Sequence, residues 1–362
     1  MNAAQRLHDL GQSLWLDNLS REILDDGTLD NYIRELALTG LTSNPTIFDK
    51  AIRSTKRYDR SIGEAARGAA SDEAVFFELA LQDLTRAAAL FRPAFDASGG
   101  ADGWVSLEVS PLLADDTAAT IAQAKALHAR AACPNLFIKI PGNRAGIPAI
   151  EESIAAGIPI NVTLLFSTEQ CLAAADAYRR GNERRLAAGM KPVRSVASLF
   201  VSRWDKAVAD AIPPSLRNRL GIAVAQQTYR AWRQMYTAPA WQRLAAAGVP
   251  PQRLLWASTG TKDPAASDVL YVDALAAPET IITMPDETLL ALADHGAVNA
   301  VLPEGGGDSA AVISQFVQAG VDIAALAARL QQEGAQAFTK SWRDLIACIA
   351  AKRPTATAAH AA

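Results

Sequence analysis

Short apolar runs alternate with longer amphipathic segments along most of the chain. Such runs, flanked by polar or turn-forming residues, are typical of buried strands. We predict strands at 13–18, 39–44, 104–110, 136–141, 158–166, 194–202, 253–258 and 281–285. The intervening segments are rich in Ala, Leu, Arg and Glu and repeat their apolar residues at helical spacing. Clear examples lie at 72–92, 117–131, 168–181 and 219–236.

Strands that are each separated by a helical segment predict an α/β fold, a single (β/α)8 barrel of the TIM type. A doubly wound open sheet is the alternative, but no Gly-x-Gly-x-x-Gly turn follows the first strand. Two connections, 45–103 and 203–252, are too long for bare loops, so each is predicted to hold extra helices.

The C-terminal part of the chain predicts one more helix, at about 321–352. Phe338 and Trp342 stand four residues apart and are predicted to share its buried face. We expect residues 1–352 to form one catalytic barrel domain. The Ala- and Thr-rich residues 353–362 are expected to be a disordered tail.

Lys139 interrupts the apolar strand at 136–141. Burial removes water from an ammonium group and penalises its charged form. A buried lysine therefore needs an ion pair, or it acts as a neutral nucleophilic amine that forms a Schiff base with a carbonyl.

Side chains alternate across a strand, so parity separates its two faces. In the fifth strand, Ile160, Val162 and Leu164 are predicted to oppose Asn161 and Thr163. The same rule applied to the other strands gathers polar residues on the face that points into the barrel. They are Glu108, Lys139, Asn161, Thr163 and Ser198, with Asp17 and Asn44 just beyond their strands. Burying so many polar groups without a polar ligand is costly, which predicts a binding site at the C-terminal ends of the strands.

Composition and charge narrow the function classes. The formal net charge of −3 provides no basic field for nucleic acid. Three widely spaced cysteines and four scattered histidines form neither a disulfide framework nor a zinc motif. The first 18 residues lack the apolar core of a signal peptide, and no uncharged apolar stretch is long enough to cross a membrane. We therefore expect a cytoplasmic protein with no nucleic-acid or membrane partner.

The chemistry of an amine beside carboxylates fits imine formation on a ketone or aldehyde. Loss of the hydroxyl during imine formation needs an acid, and cleavage of the neighbouring carbon–carbon bond needs a base. Asp17 and Glu108 can divide these tasks if their surroundings differ. Asp17 has an alternative role as the cap of a helix beginning near Ser20. Glu108 has one as the ion-pair partner of Lys139.

Basic and hydroxyl-bearing residues after the sixth and seventh strands suggest an anionic substrate. Arg203 follows the sixth strand, and the Ser/Thr/Gly-rich loop from Ser258 to Lys262 follows the seventh. Phosphate sites in barrels often lie after the last strands. The alternative for Arg203 is a surface salt bridge to Asp205 or Asp210.

Three segments of the chain resemble the transaldolase family of class I aldolases, in its longer bacterial branch. The segment 40–48 is similar to the family's Thr-Ser/Thr-Asn-Pro segment, 136–146 to its Schiff-base lysine segment, and 161–166 to its Asn-x-Thr-Leu-Leu-Phe strand. Two positions depart from the family pattern. Asn143 stands where Ser or Thr is usual, and Thr261-Lys262 stands where the shorter branch carries an Arg.

The resemblance implies a TIM barrel in which Lys139 forms the Schiff base with a ketose phosphate. It implies Asp17 as acid/base for the carbon–carbon step, and Glu108 with a water held by Thr163 for imine formation. The remaining implied residues are Asn44, Asn161 and Ser198 for the dihydroxyacetone unit, with Arg203, Ser258 and, by position, Lys262 for phosphate. The implied partners are sugar phosphates, with no metal or organic cofactor, and we expect a monomer or homodimer.

Two other functions remain open at the level of sequence. An aldolase of the fructose-6-phosphate type would use the same residues but release free dihydroxyacetone. A non-catalytic sugar-phosphate-binding protein would not need Lys139, Asp17 and Glu108 together, and all three are present.

Overall fold

The strands close into a parallel barrel in the order β1 to β8, with β1 pairing to β8, in a computed structural model that describes residues 2–298 and 300–353. This closure confirms the (β/α)8 prediction and makes the open-sheet alternative wrong. The strands are β1 Ser13–Leu16, β2 Leu38–Thr42, β3 Trp104–Glu108, β4 Leu136–Pro141, β5 Ile160–Leu165, β6 Ser195–Phe200, β7 Arg253–Ala257 and β8 Ile281–Met284. Of the predicted C-terminal tail, residues 354–362 lie outside the described residues.

Helices occupy the connections. The first eight are α1 Ala3–Asp9, α2 Arg21–Asp25, α3 Thr28–Glu35, α4 Pro45–Ser54, α5 Asp59–Ala66, α6 Asp72–Ala97, α7 Thr117–Ala131 and α8 Gly146–Ala155. The others are α9 Thr168–Ala187, α10 Ser202–Val208, α11 Leu220–Tyr236, α12 Pro239–Ala246, α13 Leu270–Ala274, α14 Asp286–His295, α15 Ser309–Gln318 and α16 Ile323–Lys352. Single 3-10 turns lie at Pro111–Leu113 and Pro214–Leu216. Both long connections hold three helices, which confirms the prediction of extra helices there.

Local sequence signals set where the longer helices begin. Ser71 caps α6, and Ser167 with Gln170 forms a capping box at the start of α9. At α4, Asn44 is the N-cap and Pro45 occupies the first turn, where its missing N–H costs nothing.

Two apolar clusters fill the molecule. One lies between the outward faces of the strands and the surrounding helices and includes Val105, Ile138 and Val162. The other fills the barrel interior and continues beneath α16, and it includes Trp15, Trp104 and Phe137. Phe338 and Trp342 are both buried on α16, as the four-residue spacing predicted.

No single helix among the described residues is long and apolar enough to cross a membrane. Helices α15 and α16 pass this test of length and composition only as a pair bent by 91°.

Candidate active site

Strand register brings the central polar residues side by side. Glu108 at the end of β3 pairs with Lys139 of β4, and Lys139 pairs in turn with Asn161 of β5. All three side chains are buried. The parity argument therefore placed these residues correctly on the inner face.

Lys139 is 5% exposed, and its ammonium group contacts the end of β2 and the neighbouring β3. Its Nζ donates to the carbonyl of Ser43 at 3.0 Å and to Thr42 Oγ1 at 3.3 Å. Glu108 Oε2 lies 3.7 Å from the same nitrogen. The ion pair considered at the sequence level is present, and the lysine is held at one point in the barrel.

Glu108 and Asp17 flank this lysine in different surroundings. Burial raises the pKa of Glu108 to about 7, against the opposing charge of Lys139. Burial also raises the pKa of Asp17, while Lys139 and Lys262 oppose that rise. Asp17 does not cap the next helix, because Ser20 is the N-cap of α2.

An aromatic floor fills the barrel interior on the side of the polar layer nearer the N-terminal ends of the strands. Trp104 and Phe137 stack with ring centroids 3.9 Å apart, and Trp15 lies 6.1 Å from Phe137. Gly40 on β2 makes room for this floor, since a Cβ there would come within 2.5 Å of Trp15 Nε1. These buried side chains pack the lower part of the barrel.

Amide and hydroxyl groups continue the polar layer. Ser198 Oγ donates to Asn161 Oδ1 at 2.7 Å, and Asn161 Nδ2 donates to Ser106 Oγ at 3.2 Å. Asn44 Oδ1 accepts from the backbone N–H of Ile47 at 3.1 Å. This oxygen of the predicted substrate ligand therefore caps the N-terminus of α4. Thr163 Oγ1 is buried and has no hydrogen-bond partner within residues 2–298 and 300–353.

Arg203, Ser258 and Lys262 line one wall of the same cavity. The Arg203 guanidinium lies 5.2 Å from the centre of the Phe200 ring, and within the described part of the chain it forms no salt bridge. Burial lowers its pKa, and the Glu333 carboxylate opposes that change. The predicted alternative, a salt bridge to Asp205 or Asp210, is therefore not present.

The loop after β7 divides into buried and exposed parts. Ser258 has a positive φ of 56°, and its Oγ lies 2.9 Å from Ser202 Oγ. Thr261 points away from the cavity wall, because its Oγ1 donates to the Ser267 carbonyl at 2.8 Å in an exposed position. Of the Thr261-Lys262 pair, only Lys262 lines the cavity.

The cavity at this end of the barrel has a volume of about 190 Å³. It contains Asp17, Asn44, Lys139, Thr163, Ser198, Arg203, Ser258 and Lys262 from the predicted set. Glu108 and Asn161 lie behind these residues and contact the cavity through Lys139 and Ser198. Sequence reasoning thus selected most of one continuous site.

Several lining residues were missed. Phe338 reaches the cavity from α16, and Thr283 and Glu287 come from β8 and the start of α14. The spacing of Phe338 and Trp342 indicated a buried helix face but not which surface would cover it. Thr283 could have been found by the same parity rule, since it is the polar residue of an otherwise apolar strand.

One face assignment was wrong. Leu164 was predicted to lie outward with Ile160 and Val162, but it belongs to the interior cluster that contains Phe166 and Phe338. Its φ of +57° turns the chain, and the β5–β6 register shifts between Val162 and Leu165. Leu165 then takes the outward position. A left-handed residue inside a strand ends the simple alternation of faces.

Asn143 has a structural role in the loop after β4. Its Nδ2 donates to the Ala114 carbonyl at 2.9 Å, and its Oδ1 accepts from the N–H of Gly146 at 2.7 Å. Asn143, which differs from the Ser or Thr usual in the family, thus links the loops after β3 and β4. Across the described ranges, no group of three or more His, Cys, Asp or Glu side chains is arranged to hold a metal ion.

Comparisons with known proteins agree with this geometry. Residues 14–349 match the family model described as transaldolase/fructose-6-phosphate aldolase. A transaldolase of Thiobacillus denitrificans is 43% identical over 358 residues, covering 96% of this chain and all of the relative. A Parafrankia transaldolase is 44% identical, covering 94% of this chain and 95% of the relative. A Neisseria meningitidis transaldolase is 40% identical, covering 93% and 97%.

Proposed function

This chain belongs to the transaldolase/fructose-6-phosphate aldolase family, and we propose from that membership and from the site that each residue named below has a defined catalytic or binding role. The protein is a transaldolase, a transferase that works through a Schiff base. It moves a dihydroxyacetone unit from sedoheptulose 7-phosphate to glyceraldehyde 3-phosphate, giving erythrose 4-phosphate and fructose 6-phosphate. The observation that carries the assignment of roles is Lys139, buried in an ion pair at the base of the cavity.

The first step joins the Lys139 nitrogen to the ketone carbon of the donor sugar. The nitrogen attacks after losing a proton, and the resulting carbinolamine loses its hydroxyl as water to give the imine. Glu108 is suited to supply the proton for this loss, because its pKa of about 7 lets it both donate and accept near neutral pH. Thr163 Oγ1, buried and unpartnered among the described residues, is suited to hold the water that carries the proton.

The second step breaks the carbon–carbon bond beside the imine. Asp17 takes the proton of the neighbouring hydroxyl, the aldose phosphate leaves, and the electron pair of the broken bond passes to the imine as an enamine. In this proposal Asn44 and Ser198 hold the hydroxyls of the retained three-carbon unit, and Asn161, which accepts a hydrogen bond from Ser198, supports them from behind the cavity wall. Addition of the acceptor aldehyde reverses these steps.

Arg203, Ser258 and Lys262 hold the substrate phosphate in this proposal. Arg203 supplies a planar guanidinium and Lys262 a second positive charge on the same cavity wall. A phosphate bound there would hold the donor sugar in the cavity that contains Lys139.

We further propose a cytoplasmic location and a monomer or homodimer. The three cysteines are free thiols, as expected in a reducing compartment. One chain supplies every residue assigned a role above, so the site does not need a second subunit.

Borohydride trapping tests the assignment of Lys139. Fructose 6-phosphate and borohydride are expected to leave a reduced three-carbon adduct on Lys139, located by peptide mass spectrometry. Lys139→Met should abolish the adduct. Lys262→Met is the matched control, because it removes another cavity lysine and should raise KM while leaving the adduct in place. An adduct that persists in Lys139→Met contradicts the proposal.

The alternative activity, release of free dihydroxyacetone, is tested with fructose 6-phosphate in the presence and absence of erythrose 4-phosphate. A transaldolase releases glyceraldehyde 3-phosphate rapidly only when the acceptor is present and forms sedoheptulose 7-phosphate. Equal release without the acceptor, with free dihydroxyacetone accumulating, would identify an aldolase.

A further inference from the structure

The turn that ends β5 places a strained residue next to Thr163. Leu164 is 2% exposed and has a φ of +57°, a conformation that a leucine adopts only when its surroundings hold it. The change of face between Val162 and Leu165 starts at this residue. The position of the Thr163 hydroxyl therefore depends on whatever stabilises the turn.

One side chain from α16 contacts this turn directly. Gln331 Nε2 donates to the Leu164 carbonyl at 2.9 Å and to the Gly142 carbonyl at 3.3 Å. Gly142 lies just beyond the strand of Lys139, and its own N–H donates to the Thr163 carbonyl at 2.8 Å. The amide thus joins the ends of the two strands that carry Lys139 and Thr163.

Helix α16 lies close enough to β5 for the Gln331 amide to reach these carbonyl groups. Gly334, one turn after Gln331, passes so close to β5 that a Cβ would lie 3.0 Å from Leu164 Cδ2 and 3.2 Å from Arg203 Nη1. Phe338, a further turn along the same face, lines the cavity. Because both acceptors of Gln331 are carbonyl oxygens, only its NH2 group can face them.

We propose that Gln331 is a positioning residue for the transfer reaction, holding the left-handed turn at Leu164 so that the Thr163 hydroxyl stays in the cavity that also contains Lys139. Gln331 does not line the cavity, so it acts through Thr163 and not on the substrate. This inference rests on the proposed role of Thr163 in imine formation.

Loss of Gln331 should therefore affect the catalytic rate more than substrate binding. Loss of the amide should let the turn relax and displace the Thr163 hydroxyl, which slows imine formation. The proposed phosphate ligands Ser258 and Lys262 lie in the loop after β7, away from this turn. The third, Arg203, approaches α16 at Gly334 and not at the Gln331 amide, so substrate affinity should change little.

A double-mutant cycle tests the proposal. Gln331→Met keeps the size of the side chain but removes both donors, and Gln332→Met, on the exposed next position of the same helix, is the matched control. We expect Gln331→Met to lower kcat and the rate of borohydride-trappable imine formation by about 10-fold with KM changed less than about 3-fold. In a Thr163→Ala background the same substitution should cost less than about 2-fold, because coupled residues are not additive.

Other outcomes would show whether the role of Gln331 or the proposed function itself is wrong. An equal loss in both backgrounds, a change in KM alone, or no difference from Gln332→Met overturns the role of Gln331. If Gln331→Met does not fold, Gln331→Asn, which retracts the amide by one methylene, takes its place in the cycle. A wild-type protein that forms no adduct with fructose 6-phosphate instead rejects the proposed function.

Discussion

Glu108 is a buried carboxyl group at the proposed catalytic site. Its carboxyl is buried above an aromatic floor, and burial raises its pKa to about 7 from the usual range near 4.5. The ammonium of Lys139, 3.7 Å away, only partly offsets this rise. A carboxyl that is half protonated near neutral pH suits a group that must give and take a proton within one turnover.

This pKa predicts the pH dependence of imine formation. Below about pH 7 Glu108 is protonated and can donate to the departing hydroxyl, so the single-turnover rate of trapping should fall as pH rises above 7. Glu108→Gln should lower the rate by about 100-fold or more and remove this inflection. Rapid-quench trapping from pH 5 to 9 measures both effects. An inflection that survives in Glu108→Gln would assign the titration to another group.

For single residues, the sequence predicted which side chains lie together but not the backbone conformation of Leu164 or the pKa of Glu108. Parity alone brought Glu108, Lys139 and Asn161 to one face, since strand alternation is a local property. It failed at Leu164, because the left-handed turn there is held by contacts with α16, which lies far away along the chain. The pKa of Glu108 likewise depends on its burial and on the charges of Lys139 and Asp17, which come from other strands or loops.

Helix α11 begins at a buried carboxylate supplied by another element. Asp205 of α10 is 5% exposed and accepts from the N–H of Leu220 at 2.8 Å and of Gly221 at 3.2 Å. Tyr271 of α13 donates its hydroxyl to the same carboxylate at 2.9 Å. One side chain thus satisfies the first turn of α11 and ties three helices together on the side of the barrel near Arg203.

Removing this carboxylate should destabilise the protein. Asp205→Ala leaves buried N–H and hydroxyl donors without partners, and we expect a loss of roughly 2–3 kcal/mol in the free energy of unfolding. Asp210→Ala, at an exposed position just after α10, should change it by less than about 0.5 kcal/mol. Urea unfolding followed by tryptophan fluorescence measures the difference. Equal effects of the two substitutions would show that the cap contributes nothing.

Secondary-structure elements were easier to predict from the sequence than the contacts between them. Helix α16 could be predicted from its apolar spacing, and so could the burial of Phe338. That this face covers the mouth of the barrel follows from packing against α4 and α6, and no local pattern encodes it. The capping role of Asp205 was missed for the same reason, since its partners lie 15 to 66 residues away.

The proposed catalytic groups and a set of stabilising contacts lie at opposite ends of the barrel. The proposed catalytic groups lie at the C-terminal ends of the strands, and the opposite end is closed by Arg253, the first residue of β7. Its guanidinium donates to Ser13 Oγ at 2.7 Å and to the Thr280 carbonyl at 2.7 Å, and it lies 3.3 Å from Asp102 Oδ1. These contacts join β1, β7, β8 and the loop before β3.

Arg253→Met should therefore reduce stability while sparing turnover. It leaves the partly buried Asp102 without its cation, and we expect a loss of roughly 3 kcal/mol in the free energy of unfolding. Arg243→Met, which removes an exposed arginine from α12, is the control and should leave the protein near its wild-type stability. Below the melting transition, kcat of Arg253→Met should stay within about twofold of wild type, because conserving the barrel's upper end preserves the site. Calorimetry paired with transfer assays tests this separation, and a fall in kcat that parallels the fall in stability would show that the two ends of the barrel are coupled.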